Sequence, residues 1–166
     1  IVTDNDVDKV TVSGTSGRDY FLIGHEIVPL GGFDADGNPL QETKTNTVQI
    51  NHRLLNSDGT INTAQRSLVI TIRGIDLTTA DAARDEITVD GAAGDDRLIA
   101  GLLPKDEVIS DLNVTLDQIL WSHATDLLTL KGGAGNDRIV GTNQADIIDS
   151  GADDDIVTGG AGVDFY

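Results

Sequence analysis

Residues 132–140 read GGAGNDRIV, residues 141–149 read GTNQADIID, residues 150–158 read SGADDDIVT, and residues 159–166 read GGAGVDFY. These consecutive units share a period of nine, with aspartate at position six and an aliphatic or aromatic residue at position eight. A unit of this length cannot bury its single apolar side chain alone, so the units must stack on one another. The period therefore predicts the fold of this part of the chain.

Each position of the unit has a physical role in such a stack. Glycine at positions one, two and four permits a positive φ and leaves the backbone carbonyl oxygens uncrowded. Positions seven to nine form a short strand whose middle side chain points inward, because side chains alternate along a strand. The residues expected to face the core are Ile139, Ile148, Val157 and Tyr166. The glycines expected to present carbonyl oxygens to a ligand are Gly132, Gly133, Gly135, Gly160 and Gly162.

Two units make one coil of eighteen residues, which places the aspartates of alternate units above one another. Asp137 is expected to stack on Asp155, and Asp146 on Asp164. Two carboxylates a few ångströms apart repel by about 4 kcal/mol at an effective dielectric of about 20. A cation between them removes this repulsion, and Ca²⁺ fits better than Mg²⁺ because it accepts carboxylate and carbonyl oxygens in flexible geometry. Zinc is disfavoured since the chain has no cysteine and its histidines are scattered.

The array resembles the RTX (repeats-in-toxin, haemolysin-type) calcium-binding nonapeptide family. Residues 132–140 and 159–165 follow its pattern of Gly-Gly-x-Gly-x-Asp and an apolar strand, whereas the two middle units depart from it. Residues 141–149 lack glycine at positions two and four, and residues 150–158 have Ser150 at position one and Asp153 at position four. The resemblance implies a parallel β-roll, type I secretion and folding triggered by external calcium. A flexible Gly/Asp-rich linker is the alternative, but it would not keep apolar residues at a fixed period.

The same unit occurs twice upstream, at Gly14–Leu22 and Gly91–Ile99, each preceded by an apolar-Thr-apolar segment. We expect one continuous stack whose early coils carry insertions, although a chance match of a short motif is the alternative. Its aspartate column is expected to contain Asp19, Asp96, Asp137 and Asp155, with Arg97 and Arg138 beside it as partial charge balance.

The fold class expected is all-β, a right-handed parallel β-roll or β-helix with β-rich insertions. Residues 1–24 and 83–166 are assigned to the stacked-coil, calcium-binding part, residues 25–82 to a β-rich insertion, and residues 101–126 to a smaller insertion within the stack.

The first insertion carries strand and turn signals. Thr47–Asn51 and Leu68–Arg73 are strand candidates, and Asp36-Gly37 and Asp58-Gly59 are typical hairpin-turn dipeptides. These two segments faintly resemble EF-hand loops, but neither has glutamate at the twelfth loop position, so turns are the better interpretation. Residues 101–126 fit either a strand around residues 112–116 or a short helix over residues 106–120.

Composition limits the classes of partner. The chain of 166 residues has 28 acidic and 11 basic residues, a net charge of −17, which disfavours nucleic acid and anionic membrane surfaces. The absence of cysteine excludes disulfides, and no apolar run is long enough to span a membrane. Because the sequence starts without methionine and stops within a repeat, we expect a piece of a larger protein. The expected location is extracellular or at a bacterial cell surface.

These features predict a structural, non-enzymatic function: calcium-dependent folding and rigidity, as a display scaffold within an adhesin or exoprotein. The expected partners are Ca²⁺, the remainder of a larger parent chain, and an extracellular glycan or cell surface. One alternative is a polysaccharide-active β-helix enzyme using Asp34/Asp36 or residues 153–155, although no spacing selects a catalytic pair. A base would come from His25-Glu26 or His123. The other alternative is a calcium-dependent glycan-binding module, whose sugar-stacking candidates are Trp121, Tyr20 and Tyr166.

Overall fold

The computed structural model describes residues 9–73, 86–100 and 127–166, and this part of the chain is all-β with no helix. Its strands are β1 (Lys9–Ser13), β2 (Asp19–Phe33), β3 (Pro39–Leu54), β4 (Leu68–Arg73), β5 (Glu86–Asp90), β6 (Arg97–Ala100), β7 (Leu127–Ala134), β8 (Arg138–Val140), β9 (Asp146–Ala152) and β10 (Ile156–Thr158). The alternatives considered for residues 101–126, and the side chains of Trp121 and His123, lie outside the described residues.

Successive coils stack as parallel strands in two sheets. The first sheet has the order β1-β5-β7-β9, and all its pairs are parallel. The second sheet has the order β10-β8-β6-β2-β3-β4, in which β10, β8, β6 and β2 are parallel and β3 and β4 are antiparallel. Each coil contributes one strand to each sheet, and a short turn leads from the first sheet to the second in every coil. This arrangement places equivalent turns directly above one another.

The main core lies between the two sheets and is aliphatic. The apolar residues of the apolar-Thr-apolar segments face it, as Val10, Val12, Ile87 and Val89 are buried. Position eight of the units faces the same core at Phe21, Leu98, Ile139 and Ile148, and half-buried Val157 packs against it.

Tyr166 corrects the expectation for position eight, because 79% of its surface is exposed. Phe165 pairs with Ile147 at the edge of the first sheet, but no strand of the described chain lies beyond this segment to cover the Tyr166 ring.

The first insertion continues the second sheet instead of forming a separate layer. The expected boundary after residue 24 lies inside β2, and β3 and β4 extend the sheet beyond it. Val48, Ile50 and Ile72 are fully buried in the main core, which explains why these strands pack against the stack.

The predicted strand Leu68–Arg73 is correct, whereas Thr47–Asn51 is only the buried centre of a longer β3. Both predicted hairpin turns form, with Gly37 at φ 84° and Gly59 at φ 79°.

A second apolar cluster covers the outer face of the second sheet. Tyr20, Leu22, Ile99 and Val140 are buried there under Leu55, with Ile61 packed beside them. The segment after β3 therefore folds back over the stack and buries a face that would otherwise meet solvent. Tyr20, at 2% exposure, is not available to stack on a sugar ring, which corrects that expectation. No helix in the described residues has the length and apolarity needed to cross a membrane.

Candidate metal centre

The aspartates of the units fall into two rows, one on each side of the stack. Turns 14–19, 91–96, 132–137 and 150–155 lead from the first sheet to the second, and they align their position-six aspartates as row one: Asp19, Asp96, Asp137 and Asp155. Turns 141–146 and 159–164 lead back to the first sheet, and they align Asp146 and Asp164 as row two.

A ladder of hydrogen bonds ties each row together through one carboxylate oxygen. In row one the backbone N–H of Asp19 donates to Asp96 Oδ1 at 2.7 Å, that of Asp96 to Asp137 Oδ1 at 2.8 Å, and that of Asp137 to Asp155 Oδ1 at 2.9 Å. In row two the N–H of Asp146 donates to Asp164 Oδ1 at 3.2 Å. The spacing of eighteen residues within the array therefore brings together the pairs that the sequence placed above one another.

The other oxygen of two row-one carboxylates has no partner. Asp96 and Asp137 are only 1% and 2% exposed, yet the Oδ2 atom of each is buried without a hydrogen bond. Burying an unpaired carboxylate oxygen costs free energy that packing alone does not return. An orphaned, negatively charged oxygen at successive coils is the donor that a hard cation needs.

Backbone carbonyl oxygens lie beside these orphaned atoms. A β-carbon placed on Gly91 would lie under 3.0 Å from both Asp96 Oδ2 and the carbonyl oxygen of Gly132. The same substitution at Gly132 would bring a β-carbon under 3.0 Å from Asp137 Oδ2 and the carbonyl oxygen of Ser150. A carboxylate oxygen of one coil and a carbonyl oxygen of the next therefore crowd around a glycine. This combination of donors suits Ca²⁺.

The turns that hold these oxygens share an unusual backbone. Positions two and four both have positive φ in turns 91–96, 132–137, 150–155 and 159–164, through Ala92, Gly94, Gly133, Gly135, Gly151, Asp153, Gly160 and Gly162. Asp153 takes φ 83°, so it adopts the conformation of the glycine that it replaces. Ser150 is also tolerated, because no described coil of row one lies beyond its turn to meet its β-carbon. The departures at residues 150–158 therefore leave the turn intact.

The other glycines predicted to offer carbonyl oxygens to a metal pack against the backbone of a neighbouring coil. Gly133 packs its carbonyl against Gly151, and Gly135 packs against the backbone of Gly94. Gly160 and Gly162 lie against the backbones of Thr142 and Gln144. Of the predicted glycines, Gly132 is the one whose carbonyl oxygen lies beside an orphaned carboxylate oxygen.

The electrostatics of the rows are those of carboxylates without a counter-ion. Burial raises the pKa of Asp96 to about 8, and the Asp137, Asp19 and Asp95 carboxylates raise it too, against the opposing Asp19 N–H bond. Burial raises the pKa of Asp137 to about 6, with Asp155 adding to the effect. The pKa of Asp146 also rises to about 6, mainly through burial and partly through Asp164. Ionisation of Asp96, Asp137 and Asp146 is therefore unfavourable in the protein alone.

The position-five residues of the row-one turns form a second series of contacts between coils, which the sequence did not predict. Arg18 forms an ion pair with Asp95, Asp95 Oδ1 accepts from the N–H of Asn136 at 3.0 Å, and Asn136 Oδ1 accepts from the N–H of Asp154 at 3.0 Å. The signal for it was a polar residue at position five of each of these row-one turns. Arg97 and Arg138 lie in register on the neighbouring strands and line a cleft with Asp96 and Asp137.

The first turn of each row has a different chemistry. Asp19 Oδ1 contacts His52 Nε2 at 2.5 Å, and Thr15 donates to Asp19 Oδ2. Asp146 receives hydrogen bonds from Thr142. Within the described residues no group of three or more His, Cys, Asp or Glu side chains converges on a point. A cation here would therefore depend on one or two carboxylates, completed by backbone carbonyl oxygens.

The model of the RTX calcium-binding nonapeptide repeat family matches residues 88–102 and 131–166, in four copies. The match covers under a third of the chain, and it includes Asp96 and the entire array. The resemblance inferred from the sequence is thereby confirmed: these segments are RTX repeats, a calcium-binding type typical of proteins that bacteria secrete. No curated protein and no solved structure matches the chain.

Proposed function

We propose that this chain is a calcium-binding RTX module of a secreted bacterial protein, in which calcium drives folding and stiffens the stack. The observation that carries the proposal is the buried, unpartnered Oδ2 atom of Asp96 and of Asp137. Each of them lies beside a carbonyl oxygen contributed by the next coil. These oxygens are buried and have no hydrogen-bond donor, so their ionised form is unfavourable unless a cation is bound.

The residues that would hold calcium are the carboxylates of row one from Asp96 onward, with the carbonyl oxygens of Gly132 and Ser150, and Asp164 of row two. Bound calcium would supply the positive charge that these rows lack. The N–H ladder orients each carboxylate by fixing its Oδ1 atom, so that Oδ2 remains free. The glycines keep the space around Oδ2 clear of side-chain atoms.

The expected effect on stability follows from mass action. Extracellular calcium modules have Kd values of about 10⁻⁴–10⁻³ M. At a tenfold excess over Kd, each site adds about 1.4 kcal/mol if calcium binds only the folded state. Several sites in one stack add up to a large share of the stability of a small domain. A net charge of −17 opposes folding of the metal-free chain.

The wider role belongs to the same proposal. We assign residues 1–24 and 83–166 to a right-handed β-roll or β-helix, and residues 25–82 to an insertion that extends one of its sheets. The module serves as a rigid scaffold in a larger adhesin or exoprotein exported by type I secretion. Outside the cell, calcium is plentiful and the stack becomes rigid. Its partners are calcium, the rest of a parent chain, and a glycan or cell surface.

Among the described residues, no specific contact favours either alternative function. Asp34, a candidate for acid–base chemistry, accepts hydrogen bonds from the N–H groups of Asp36 and Asn38 within its own turn. These bonds, chiefly those from Asn38, lower the pKa of Asp34 below its usual range. Asp34 therefore has a turn-forming role, and the burial of Tyr20 removes one of the sugar-stacking candidates.

The test is far-UV circular dichroism during a titration with calcium chloride, followed by addition of EDTA. The strand signal should appear at millimolar calcium and disappear with the chelator, and magnesium chloride should not replace calcium. The double variant D96N/D137N should need at least tenfold more calcium for half-maximal signal, or lose the response. D149N removes one charge from an exposed position and serves as the matched control. A spectrum that ignores both calcium and EDTA would refute the proposal.

A further inference from the structure

The turns of the stack are of two kinds, which differ in the residue at position two. Turns 91–96, 132–137, 150–155 and 159–164 have positive φ at positions two and four. Turns 14–19 and 141–146 have threonine at position two, as Thr15 and Thr142, and have no positive φ. The two threonine turns lie in different rows, on opposite sides of the stack.

The threonine turns share one set of hydrogen bonds. Thr15 donates to Asp19 Oδ2 from its backbone N–H at 2.7 Å and from its hydroxyl at 3.0 Å, and its Oγ1 accepts from the N–H of Gly17 at 3.0 Å. Thr142 donates to Asp146 Oδ2 from its N–H at 2.6 Å and from its hydroxyl at 3.0 Å, and its Oγ1 accepts from the N–H of Gln144 at 3.1 Å. The repetition of these bonds in two rows indicates one recurrent device.

This device occupies the atom that is orphaned elsewhere. Oδ2 has no partner in Asp96 and Asp137, whereas in Asp19 and Asp146 it receives two hydrogen bonds, one for each lone pair. Hydrogen bonds to an ionised carboxylate are about twice as strong as bonds between neutral groups. In these turns threonine therefore supplies the hydrogen-bond donors for Oδ2, in the place where a cation would otherwise bind.

Both threonine turns begin a row within the described residues. Elsewhere in the rows, Oδ1 accepts from the aspartate N–H of the preceding coil, but within the described residues no aspartate turn precedes the first one of either row. In row one His52 takes this place and contacts Asp19 Oδ1 at 2.5 Å. In row two the Thr142 hydroxyl lies 3.1 Å from Asp146 Oδ1. Asp19 thus has a protein partner at both oxygens, whereas Asp146 shares the single hydroxyl proton of Thr142 between its two oxygens and receives the Thr142 N–H at Oδ2.

We propose that Thr15 and Thr142 close the first turn of each row in place of a cation, so that calcium binding starts at the following turn. This inference rests on the proposed function and specifies where that function resides. In row one the calcium ligands are Asp96, Asp137 and Asp155, and Asp19 is excluded. In row two Asp164 is the carboxylate that remains for calcium. The position-two residue thereby determines which turns bind metal.

Crystals of the native chain grown with calcium chloride test this directly, without any substitution. Anomalous difference density should appear beside Asp96 Oδ2 and Asp137 Oδ2 and be absent beside Asp19 Oδ2 and Asp146 Oδ2. Density coordinated by Asp19 or Asp146 would overturn the inference while leaving the proposed function intact. Absence of density at every turn would contradict the proposed function itself.

Converting one threonine turn to the other kind provides a second test in solution. T142G/Q144G restores glycine at positions two and four of residues 141–149, and T142S keeps the hydroxyl as its matched control. Isothermal titration calorimetry with calcium chloride should show one additional bound calcium per chain for T142G/Q144G and an unchanged number for T142S. An unchanged number in T142G/Q144G, or a gain in T142S, would contradict the role assigned to Thr142.

Discussion

Acid should stabilise the metal-free chain, because protons neutralise its buried carboxylates, which include the proposed calcium ligands Asp96 and Asp137. The perturbation is a change from pH 7 to pH 5 in the presence of EDTA. The folded chain raises the pKa of Asp96 to about 8, and of Asp137 and Asp146 to about 6, from a reference of 3.8. Between pH 4 and pH 8 the folded state thus holds more protons than the unfolded state. Stability must then fall as pH rises.

The size of this effect can be worked out for each group. A group contributes about 1.4 kcal/mol per pH unit while it is protonated in the folded state and ionised in the unfolded state. From pH 5 to pH 7, Asp96 should remove about 3 kcal/mol of stability by this relation, since its window extends to about pH 8. Asp137 and Asp146 should each remove about 1 kcal/mol, mostly below pH 6. The loss expected is therefore several kcal/mol.

Circular dichroism in EDTA at pH 5, 6 and 7 measures this dependence through the strand signal that acid restores, and urea unfolding measures the stability wherever that signal is present. The variant D96N/D137N cannot titrate at these positions, so it should be more stable than the native chain at pH 7 in EDTA and should show a much weaker slope. D149N reports the general effect of removing one exposed negative charge and should keep the native slope. A metal-free stability that is constant or rises from pH 5 to pH 7 would refute the reasoning. So would an unchanged slope in D96N/D137N.

Four further substitutions test the packing around the rows. G132A should lower the free energy of unfolding, measured with urea at saturating calcium, by at least about 2 kcal/mol, because its β-carbon would overlap a carboxylate and a carbonyl oxygen. S150A, at the same unit position, should change it by less than about 0.5 kcal/mol. Equal effects of the two substitutions would contradict the steric argument. H52Q should lower the free energy of unfolding, measured by thermal unfolding, by about 1–3 kcal/mol, since it weakens the contact with Asp19 and removes the ring stacked on Phe21. A melting temperature equal to that of the native chain would contradict this. L55A should lower the free energy of unfolding by about 2–5 kcal/mol, because it exposes the outer face of the second sheet. An unchanged urea midpoint would show that the packing of Leu55 on this face does not stabilise the protein.

The regular part of the fold could be predicted because a fixed period determines geometry. A repeat of eighteen residues per coil requires that equivalent atoms lie above one another, so the pairing of Asp137 with Asp155 follows from counting alone. The same block of apolar-Thr-apolar, glycine turn and aspartate also located turns 14–19 and 91–96 across long insertions. Local sequence was sufficient there, since each of these coils repeats the same local contacts.

The irregular part depends on contacts between distant segments, which no local pattern encodes. Nothing near Tyr20 indicates that Leu55 will cover it, and nothing in the polar residues 41–46 marks them as part of β3. The position-five contacts and the threonine turns were missed for another reason. Their significance lies in which oxygen a hydrogen bond reaches, and the sequence shows only that the residues are polar.

The two kinds of turn show how one repeat can serve two purposes. A carboxylate at position six is needed in every coil, because its Oδ1 accepts the N–H that joins one coil to the one before. Its Oδ2 is then left to be satisfied by a protein donor or by a cation, and the residue at position two decides between them. Threonine makes the turn independent of metal, whereas glycine or Ala92 at positive φ leaves the oxygen open. A row that starts with threonine and continues with open turns has a fixed first turn on which the calcium-dependent coils can assemble.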